Sequence, residues 1–338
     1  MPQQPSMTKL QHDTLVQRLR GLQAEIRASL WDHMKTQAVE HLARTVRDDD
    51  GDTIFGIDAE VEDLLLERCE RWGEEQHFTL VGEGLPGGGL EFGAPGRGGP
   101  PFRLLVDPID GTRGLMFDKR SAWCLMGAAP DRGQETRLQD VEVAVMTELP
   151  TTRQHVSDVI WAIDNEPTRI TRHDLLRQSV TERPLLPSNA RDLRHGFASV
   201  ANYFPGGKAI IAALDEAILR RAMGGWNPDK AEVYADQYIC TGGQLAEIVL
   251  GRDRFVLDVR PLVYQKLGVD SALACRPYDL ATWLVGRQAG CVVCDPFGAP
   301  LDAPLDVTTN MSFAFYANRA LADQLIPIVR EEVERMLG

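Results

Sequence analysis

Two aspartates set three residues apart are the part of this sequence that most directly suggests chemistry. Asp107 and Asp110 lie in the segment 106–112, which follows a mostly apolar run typical of a buried strand. Pro108 fixes its own φ and favours an extended Asp107, while Gly111 permits a sharp turn, so both carboxylates can face one small volume. Because two carboxylates at close range repel each other, the spacing predicts a divalent cation such as magnesium, manganese or calcium.

The residues after this pair suggest a second ligand in the same place. Asp110, Gly111 and Thr112 can open a helix whose free N–H groups point toward the carboxylates, which is a common way to bind a phosphate. A metal ion and a phosphate would then share one pocket. The alternative is purely structural, with Asp107 ending a strand and Asp110 capping a helix, as bare Asp-x-x-Asp pairs often do in turns.

Composition narrows the classes of protein that can use such a site. The chain has 338 residues, 43% of them hydrophobic, which is enough for two domains or one large one with a packed core. No apolar run approaches the roughly 18–20 residues of a membrane span and the N-terminus is polar, so we expect a cytoplasmic protein without a membrane partner. A net charge of −13 argues against a nucleic acid polymer as partner, but bound cations would still admit a small phosphorylated metabolite.

Six cysteines are scattered through apolar surroundings, which favours reduced thiols in the core over a disulfide framework. Cys291 and Cys294 have the spacing of a zinc-binding pair, but no second pair and no histidine accompanies them. The valines between them favour a buried strand. None of the seven histidines lies in the segment 106–112, so a phosphohistidine mechanism is not supported.

Apolar periodicity predicts the elements that lead to the aspartate pair. Leucine and isoleucine recur from Leu10 to Leu30 as on one face of an amphipathic helix. The acidic run 48–52 lacks the ligand spacing of a calcium loop and is predicted to be a solvated turn. Asp58 stands where a short strand or turn becomes a helix, and a strand beginning at Phe78 leads into Glu83. The Gly/Pro-rich residues 84–101 predict either a flexible flap beside the site or a plain exposed loop.

The remaining elements indicate two domains. Three further apolar runs follow the aspartates and predict adjacent antiparallel strands: 121–128, 141–146 and 159–163. The polar residues 165–195 contain three prolines and predict the connection to a second domain. We therefore divide the chain into an N-terminal α+β domain, 1–185, and a C-terminal α/β domain, 186–338, which carries Asp279 at a loop-to-helix junction.

The string Asp107-Pro108-Ile109-Asp110-Gly111-Thr112 resembles the signature of the inositol monophosphatase superfamily. Its members are magnesium-dependent, lithium-sensitive phosphomonoesterases and include fructose-1,6-bisphosphatases and nucleotide 3'-phosphatases. Further similar motifs occur along the chain in the family's order. Before the string they are Asp58 with Val61-Glu62 and Glu83 within Gly-Glu-Gly, and after it the small-residue segment 242–251, Arg276–Trp283, Ala289-Gly290 and Gly298–Leu301. The match is partial, since Tyr278 stands for a tryptophan and residues 113–116 replace an Asn-Phe pair.

This resemblance implies a fold and a set of metal ligands. The fold would be α/β, a layered α-β-α-β-α sandwich. Two or three Mg²⁺ ions, with Mn²⁺ as a substitute, would be held by four carboxylates and one carbonyl. Asp107 would bridge the ions, Glu83 and the Ile109 carbonyl would complete one site, and Asp110 and Asp279 would complete the other.

The resemblance also implies the catalytic roles. Asp58 and Thr112 would orient the attacking water, with Glu83 counted among the catalytic residues, and the N–H groups of Gly111 and Thr112 would hold the phosphate. The predicted function is hydrolysis of a small phosphorylated sugar or polyol by an inositol monophosphatase-like enzyme, as a homodimer sensitive to lithium.

Three alternatives stay open from the sequence. A fructose-1,6-bisphosphatase or nucleotide 3'-phosphatase stays open beside an inositol phosphatase, because selectivity would lie where the chain departs most, at 84–101 and 261–274. A non-catalytic metal- or phosphate-binding protein on the same fold would require a lost ligand or a lost water-positioning pair, and none is missing. A magnesium enzyme of unrelated fold would make four ordered matches a coincidence.

Overall fold

The computed structural model describes residues 6–36, 45–49, 52–86, 89–99, 101–225, 227, 229–270 and 273–338. The helices of these residues are α1 (Lys9–Thr36), α2 (Gly56–Gly73), α3 (Thr112–Met116), α4 (Lys208–Met223), α5 (Thr241–Val249), α6 (Arg260–Leu267), α7 (Trp283–Gln288) and α8 (Arg319–Leu337). The first strands are β1 (Thr45–Asp49), β2 (Asp52–Phe55), β3 (Phe78–Gly82), β4 (Leu90–Phe92), β5 (Phe102–Asp110), β6 (Ala122–Pro130), β7 (Val143–Leu149) and β8 (Val156–Ile163). The later strands are β9 (Arg169–Asp174), β10 (Ser179–Arg183), β11 (Gly196–Val200), β12 (Val233–Tyr234), β13 (Asp253–Asp258), β14 (Val292–Cys294) and β15 (Phe313–Tyr316).

An eight-stranded sheet occupies the first part of the chain, in the order β10-β9-β8-β7-β6-β5-β3-β4. Neighbouring strands are antiparallel except β3 and β5, which run parallel. The predicted antiparallel strands are therefore confirmed. The parallel pair matters for the site, because the carboxyl ends of β3 and β5 lie at the same edge of the sheet.

A five-stranded sheet, in the order β12-β11-β13-β15-β14, occupies the second part. Helices α1 and α2 pack on one face of the large sheet, and α5 and α7 lie between the two sheets. Helices α4 and α8 cover the far face of the small sheet. These five layers form the predicted α-β-α-β-α sandwich.

Helix α1 confirms the first predicted helix and shows how its face is buried. Leu15, Leu19, Leu22, Ile26 and Leu30 are all buried against the large sheet, whereas Leu10 at the start of the stripe is exposed. Burying a leucine or isoleucine side chain of this kind contributes roughly 1.5–3 kcal/mol. The apolar stripe therefore anchors α1 to the sheet that carries the site.

The prediction that residues 165–195 only connect two domains was wrong for their first half. Strands β9 and β10 form an antiparallel hairpin that extends the large sheet beyond β8. All five residues of β10 are exposed, as the edge of a sheet allows. A polar edge strand has no apolar alternation, which is why the pattern predicted a linker.

The described part of the insert 84–101 is mostly exposed, as one of its two predicted forms had it, but it contains one short strand. Strand β4 pairs antiparallel with β3, and the backbone N–H of His77 donates to Arg97 at 3.1 Å. Gly84 borders the candidate site, while residues 89–99 pack against β3 and the end of α2. The described residues do not include three positions of this insert, Gly87, Gly88 and Pro100. They also exclude Asp50 and Gly51 of the predicted acidic turn, which lies between β1 and β2.

The cysteine prediction is confirmed: all six thiols are free and buried, and Cys294 ends strand β14.

Among the helices described, none is both long and apolar enough to cross a membrane.

Candidate metal centre and substrate cleft

Two adjacent parallel strands place Glu83 and Asp107 at the same edge of the large sheet. Register pairs Gly82 of β3 with Val106 of β5, so Glu83 and Asp107 follow at neighbouring strand ends. The Glu83 N–H donates to the Val106 carbonyl at 3.3 Å. A Cβ on Gly82 would lie 2.5 Å from that same carbonyl oxygen, so the close approach of the strands requires glycine there.

A bulge in β5 directs Asp107 and Asp110 into the same cleft. Asp107 pairs with Leu125 of β6 and Asp110 with Trp123, so three steps along β5 face two along β6. Pro108, inside this irregularity, has no N–H to contribute to a ladder. The Asp107 Oδ1 atom accepts a hydrogen bond from the Ile109 N–H at 3.1 Å. The motif therefore lies at the end of a strand, and the extra residue sets the direction of its side chains.

Asp279 comes from a different part of the chain. It lies in the 3-10 turn Tyr278–Leu280, and its Oδ2 accepts a hydrogen bond from the Arg276 N–H at 2.5 Å. The turn approaches β6 so closely that a Cβ on Gly127 would lie 2.2 Å from the Ala281 carbonyl oxygen. Asp279 was predicted to start a helix, but α7 begins only at Trp283, because the 3-10 turn comes between them.

Asp107, Asp110 and Asp279 each place a carboxylate oxygen within 4.8 Å of the other two. Burial raises the pKa of Asp110 well above its ordinary value, and the nearby charge of Asp279 adds to this, against hydrogen bonds from Gly242 and Thr241. Burial likewise raises the pKa of Asp279, although the Arg276 hydrogen bond and the Arg260 charge oppose it. Three crowded, poorly solvated oxygen donors fit a hard divalent cation, which would remove the repulsion.

Glu83 and Ile109, the other two predicted ligands, line the same cleft as the three aspartates. The cleft has a volume of about 320 Å³. Glu83 is not one of the three residues whose carboxylate oxygens lie within 4.8 Å of one another. The structure therefore brings together three of the four predicted carboxylates and places the fourth, Glu83, on the wall of the cleft.

Asp58 and Thr112 are in contact as a pair. The Thr112 hydroxyl lies 3.1 Å from Asp58 Oδ1 and 2.9 Å from the Ile109 carbonyl oxygen, and can donate to either. Asp58 is in the first turn of α2 and Thr112 begins α3, so this contact joins a helix outside the large sheet to the end of β5.

The turn after Asp110 supplies glycine where the backbone requires it. Gly111 has φ of 103°, a left-handed value that favours glycine, and its missing Cβ would lie 3.0 Å from the Cys240 Cβ. Helix α3, however, contains only five residues. Phosphate binding here would therefore depend on the individual N–H groups of Gly111 and Thr112 more than on a helix dipole.

The remaining wall of the cleft contains arginines and aromatic rings to which the sequence analysis gave no role in binding: Arg113, Tyr203, Phe204, Arg260, Arg276 and Tyr278. Arg260 is 4% exposed and forms a bidentate ion pair with the fully buried Asp258, with Nη2 to Oδ2 at 2.6 Å. Burial opposes the charge of Arg260, but Asp258 and its hydrogen bonds raise the pKa of the guanidinium above its ordinary value. One signal in the sequence could have indicated this basic wall: Arg113 replaces the family's neutral residue directly after the motif.

Cys240 and Cys275 also line the cleft. Burial raises the pKa of both thiols well above the ordinary value, and the neighbouring carboxylates Asp110 and Asp279 add to the effect. Both side chains are therefore neutral thiols at physiological pH, which makes them poor nucleophiles and poor metal ligands.

Comparison with known proteins adds the fold relationship. No family model matches this sequence, and no curated protein matches it. Solved structures match over nearly its whole length. The fructose-1,6-bisphosphatase of Leishmania major has a TM-score of 0.65 at 12% identity and covers 98% of this chain and 100% of its own. The SuhB protein of Bartonella henselae has a TM-score of 0.64 at 15% identity, covering 94% and 99%.

A third structure, the IMPase of Thermotoga maritima, has a TM-score of 0.59 at 15% identity and covers 95% of this chain and 99% of its own. The chain has the inositol monophosphatase fold. The predicted fold class is confirmed, and the alternative of a magnesium enzyme with an unrelated fold is wrong. Within this fold, the acidic triad and Thr112, whose hydroxyl contacts Asp58, line one cleft.

Proposed function

We propose that this protein is a magnesium-dependent phosphomonoesterase that hydrolyses a small phosphorylated sugar or polyol. The observation that carries the proposal is the convergence of Asp107, Asp110 and Asp279 within 4.8 Å, in a fold shared with phosphatases. Within the same proposal, fructose 1,6-bisphosphate and a nucleotide 3'-phosphate are the alternative substrates.

The metal would be held by the carboxylates of Asp107, Asp110, Asp279 and Glu83 and by the Ile109 carbonyl. All five donors are oxygen atoms and all line one cleft, which supports Mg²⁺ with Mn²⁺ as a substitute. When bound, divalent ions would acidify a water molecule and stabilise the charge that develops on the phosphate and the leaving oxygen.

The protein's own groups would position the reaction. When the Thr112 hydroxyl donates to Asp58 Oδ1, its lone pairs are available to accept a hydrogen bond from a water in the cleft. Asp58 would then hold Thr112 in place. As the water gives its proton to the Thr112 hydroxyl oxygen, the proton already on that oxygen would pass to the Asp58 carboxylate, which becomes neutral. The N–H groups of Gly111 and Thr112 would bind the phosphate oxygens, so that water and phosphate meet beside the acidic triad.

The experiment is a phosphate-release assay on three substrates: inositol 1-phosphate, fructose 1,6-bisphosphate and 3'-phosphoadenosine 5'-phosphate. Each is assayed with Mg²⁺, with Mn²⁺ and with EDTA, and the Asp107→Ala variant controls for a contaminating phosphatase. Asp13→Ala, at an exposed position of α1, is the matched control. We expect release that needs the metal, disappears in Asp107→Ala and persists in Asp13→Ala.

Two further parts of the proposal follow from the family resemblance alone, and each has its own measurement. Added lithium ions should inhibit release, and light scattering should give the mass of a homodimer. If every substrate stays intact while calorimetry still detects bound Mg²⁺, a non-catalytic metal-binding protein becomes the better explanation.

A further inference from the structure

Two arginines from distant parts of the chain converge on one aromatic ring in the cleft. The guanidinium carbon of Arg113 lies 5.3 Å from the centre of the Phe204 ring, and that of Arg260 also lies 5.3 Å from it. Arg260 is in addition 4.5 Å from the Tyr203 ring. These are distances at which a cation is attracted to an aromatic face. Phe204 therefore helps to hold both cations beside the metal centre.

Arg260 is rigidly placed and still has donors to offer. Its Nε and Nη2 bind Asp258, at 3.0 and 2.6 Å, and its Nη1 donates to the Leu273 carbonyl at 2.8 Å. A guanidinium has five N–H bonds, so these contacts use three of them. Within the described part of the chain the other two have no hydrogen-bond partner, and Arg260 lines the cleft.

The carboxylate on this wall is not available to a substrate hydroxyl. Asp258 is fully buried, and both of its oxygens accept from Arg260. The Tyr203 hydroxyl can donate or accept, so it adds no charge to this wall. With Asp258 committed to Arg260, the guanidinium groups of Arg113 and Arg260 leave an excess of cationic donors at this end of the cleft, which favours an anion over a neutral hydroxyl.

We infer that Arg113 and Arg260, held by Phe204, bind a second anionic group of the substrate. The substrate class is then a phosphomonoester that carries a further phosphate or carboxylate, and a singly phosphorylated neutral polyol is a poor substrate. Planar guanidinium groups suit both kinds of anion. This inference rests on the proposed function, since it assigns the other end of the same substrate.

The kinetic test compares substrates that differ only in the second anion. One pair is fructose 1,6-bisphosphate and fructose 1-phosphate, and the other is 3-phosphoglycerate and glycerol 1-phosphate. We expect kcat/KM to be about tenfold or more higher for the doubly anionic member of at least one pair, since a hydrogen bond to a charged group has that effect. The pair that shows it distinguishes a phosphate from a carboxylate. Equal values within both pairs would overturn the inference.

Variants assign the effect to the two arginines. Arg113→Gln, at an exposed position, should reduce the ratio within the responding pair about tenfold. Because Arg260→Gln alone would leave the Asp258 charge buried, the Asp258→Asn/Arg260→Gln double variant is used, and circular dichroism checks its fold. Lys119→Gln, exposed and outside the cleft, is the matched control and should keep the wild-type ratio. An unchanged ratio in both arginine variants contradicts the assignment.

A binding measurement keeps the inference testable even without turnover. Calorimetry with Mg²⁺ compares 3-phosphonopropionate with propylphosphonate, which differ in a carboxylate and are not hydrolysed. Tighter binding of 3-phosphonopropionate by about tenfold, lost in Arg113→Gln, supports the arginine site. Propane-1,3-diylbisphosphonate, which carries a second phosphonate, is compared with propylphosphonate in the same way. Equal binding of all three compounds overturns the inference. Loss of turnover on every substrate with this preference retained would refute the proposed hydrolysis and leave the second-anion site standing.

Discussion

The backbone N–H of Gly242 donates to Asp110 Oδ2 at 2.5 Å, and this hydrogen bond connects helix α5 to the end of β5 in the large sheet. Gly242 can approach so closely because it has no side chain. A Cβ at this position would lie 2.5 Å from Leu125 Cδ2 and 3.0 Å from the Asp110 Oδ2 atom itself. The position of a candidate metal ligand is therefore set partly by a glycine on a different layer.

Replacing Gly242 with alanine should weaken metal binding. The new methyl group would displace Leu125 or Asp110, and loss of a group that orients a ligand typically costs 10–100-fold in metal affinity. Calorimetric titration with Mg²⁺ measures the effect. Gly21→Ala is the matched control, because no atom lies within 4 Å of a Cβ at that helix position. Wild-type affinity in Gly242→Ala would show that this contact does not position Asp110.

Thr112 and Asp107 should separate metal binding from catalysis. Thr112→Ala removes the hydroxyl that contacts Asp58 and should lower kcat by about 10²-fold or more, the usual range for positioned proton transfer, while Mg²⁺ affinity stays near that of the wild type. Asp107→Ala should lose both Mg²⁺ binding and turnover. Thr112→Ser retains a hydroxyl and should recover most of the rate. Undiminished Mg²⁺ affinity in Asp107→Ala would remove that residue from the ligand set.

Local signals account for what the sequence predicted correctly. The bend at Pro108 and Gly111, the buried strands and the stripe on α1 each depend on residues close together in the chain. Asp279 is an intermediate case, since only the order of several motifs pointed to it, and the 3-10 turn that holds it was not predicted.

The features that the sequence did not predict depend on contacts between distant residues. Arg113 and Arg260 meet at Phe204 only because the two sheets pack together, and no pattern within one element contains that information. Gln23 is a second residue whose place the local pattern does not explain. It lies on the buried side of α1 with no exposed surface, where periodicity alone predicts an apolar residue.

Asp253 should make stability depend on pH. Burial, with the nearby charges of Glu247 and Asp236, raises the pKa of this carboxyl to about 7. The native state then binds more protons than the unfolded chain, whose aspartates titrate near about 4, so stability falls as pH rises from about 4 to 7.

The Asp253→Asn variant removes that dependence. Its melting temperature should exceed that of the wild type by a few degrees at pH 8, with a much smaller difference at pH 5. Asp13→Asn, which removes one exposed carboxylate from α1, controls for the change in net charge. An equal difference at the two pH values would show that Asp253 does not hold its proton in the folded protein.

Gln23 should be a large contributor to the attachment of α1. Its Nε2 donates to the Val145 carbonyl at 2.9 Å and its Oε1 accepts from the Thr147 hydroxyl at 2.7 Å, with both side chains fully buried. Gln23→Leu keeps most of the volume but leaves the Thr147 hydroxyl without its acceptor, which should lower the free energy of unfolding by about 1–3 kcal/mol. Gln17→Leu, on the exposed face of the same helix, is the matched control.

The Gln23→Leu/Thr147→Val double variant tests the reason for that loss. Because replacing both partners removes the unsatisfied hydroxyl, the pair should be clearly more stable than the sum of the two single changes predicts. Urea unfolding of the four proteins gives this coupling energy directly. A coupling near zero would mean that packing of the glutamine side chain, and not its hydrogen bond to Thr147, holds α1 against strand β7.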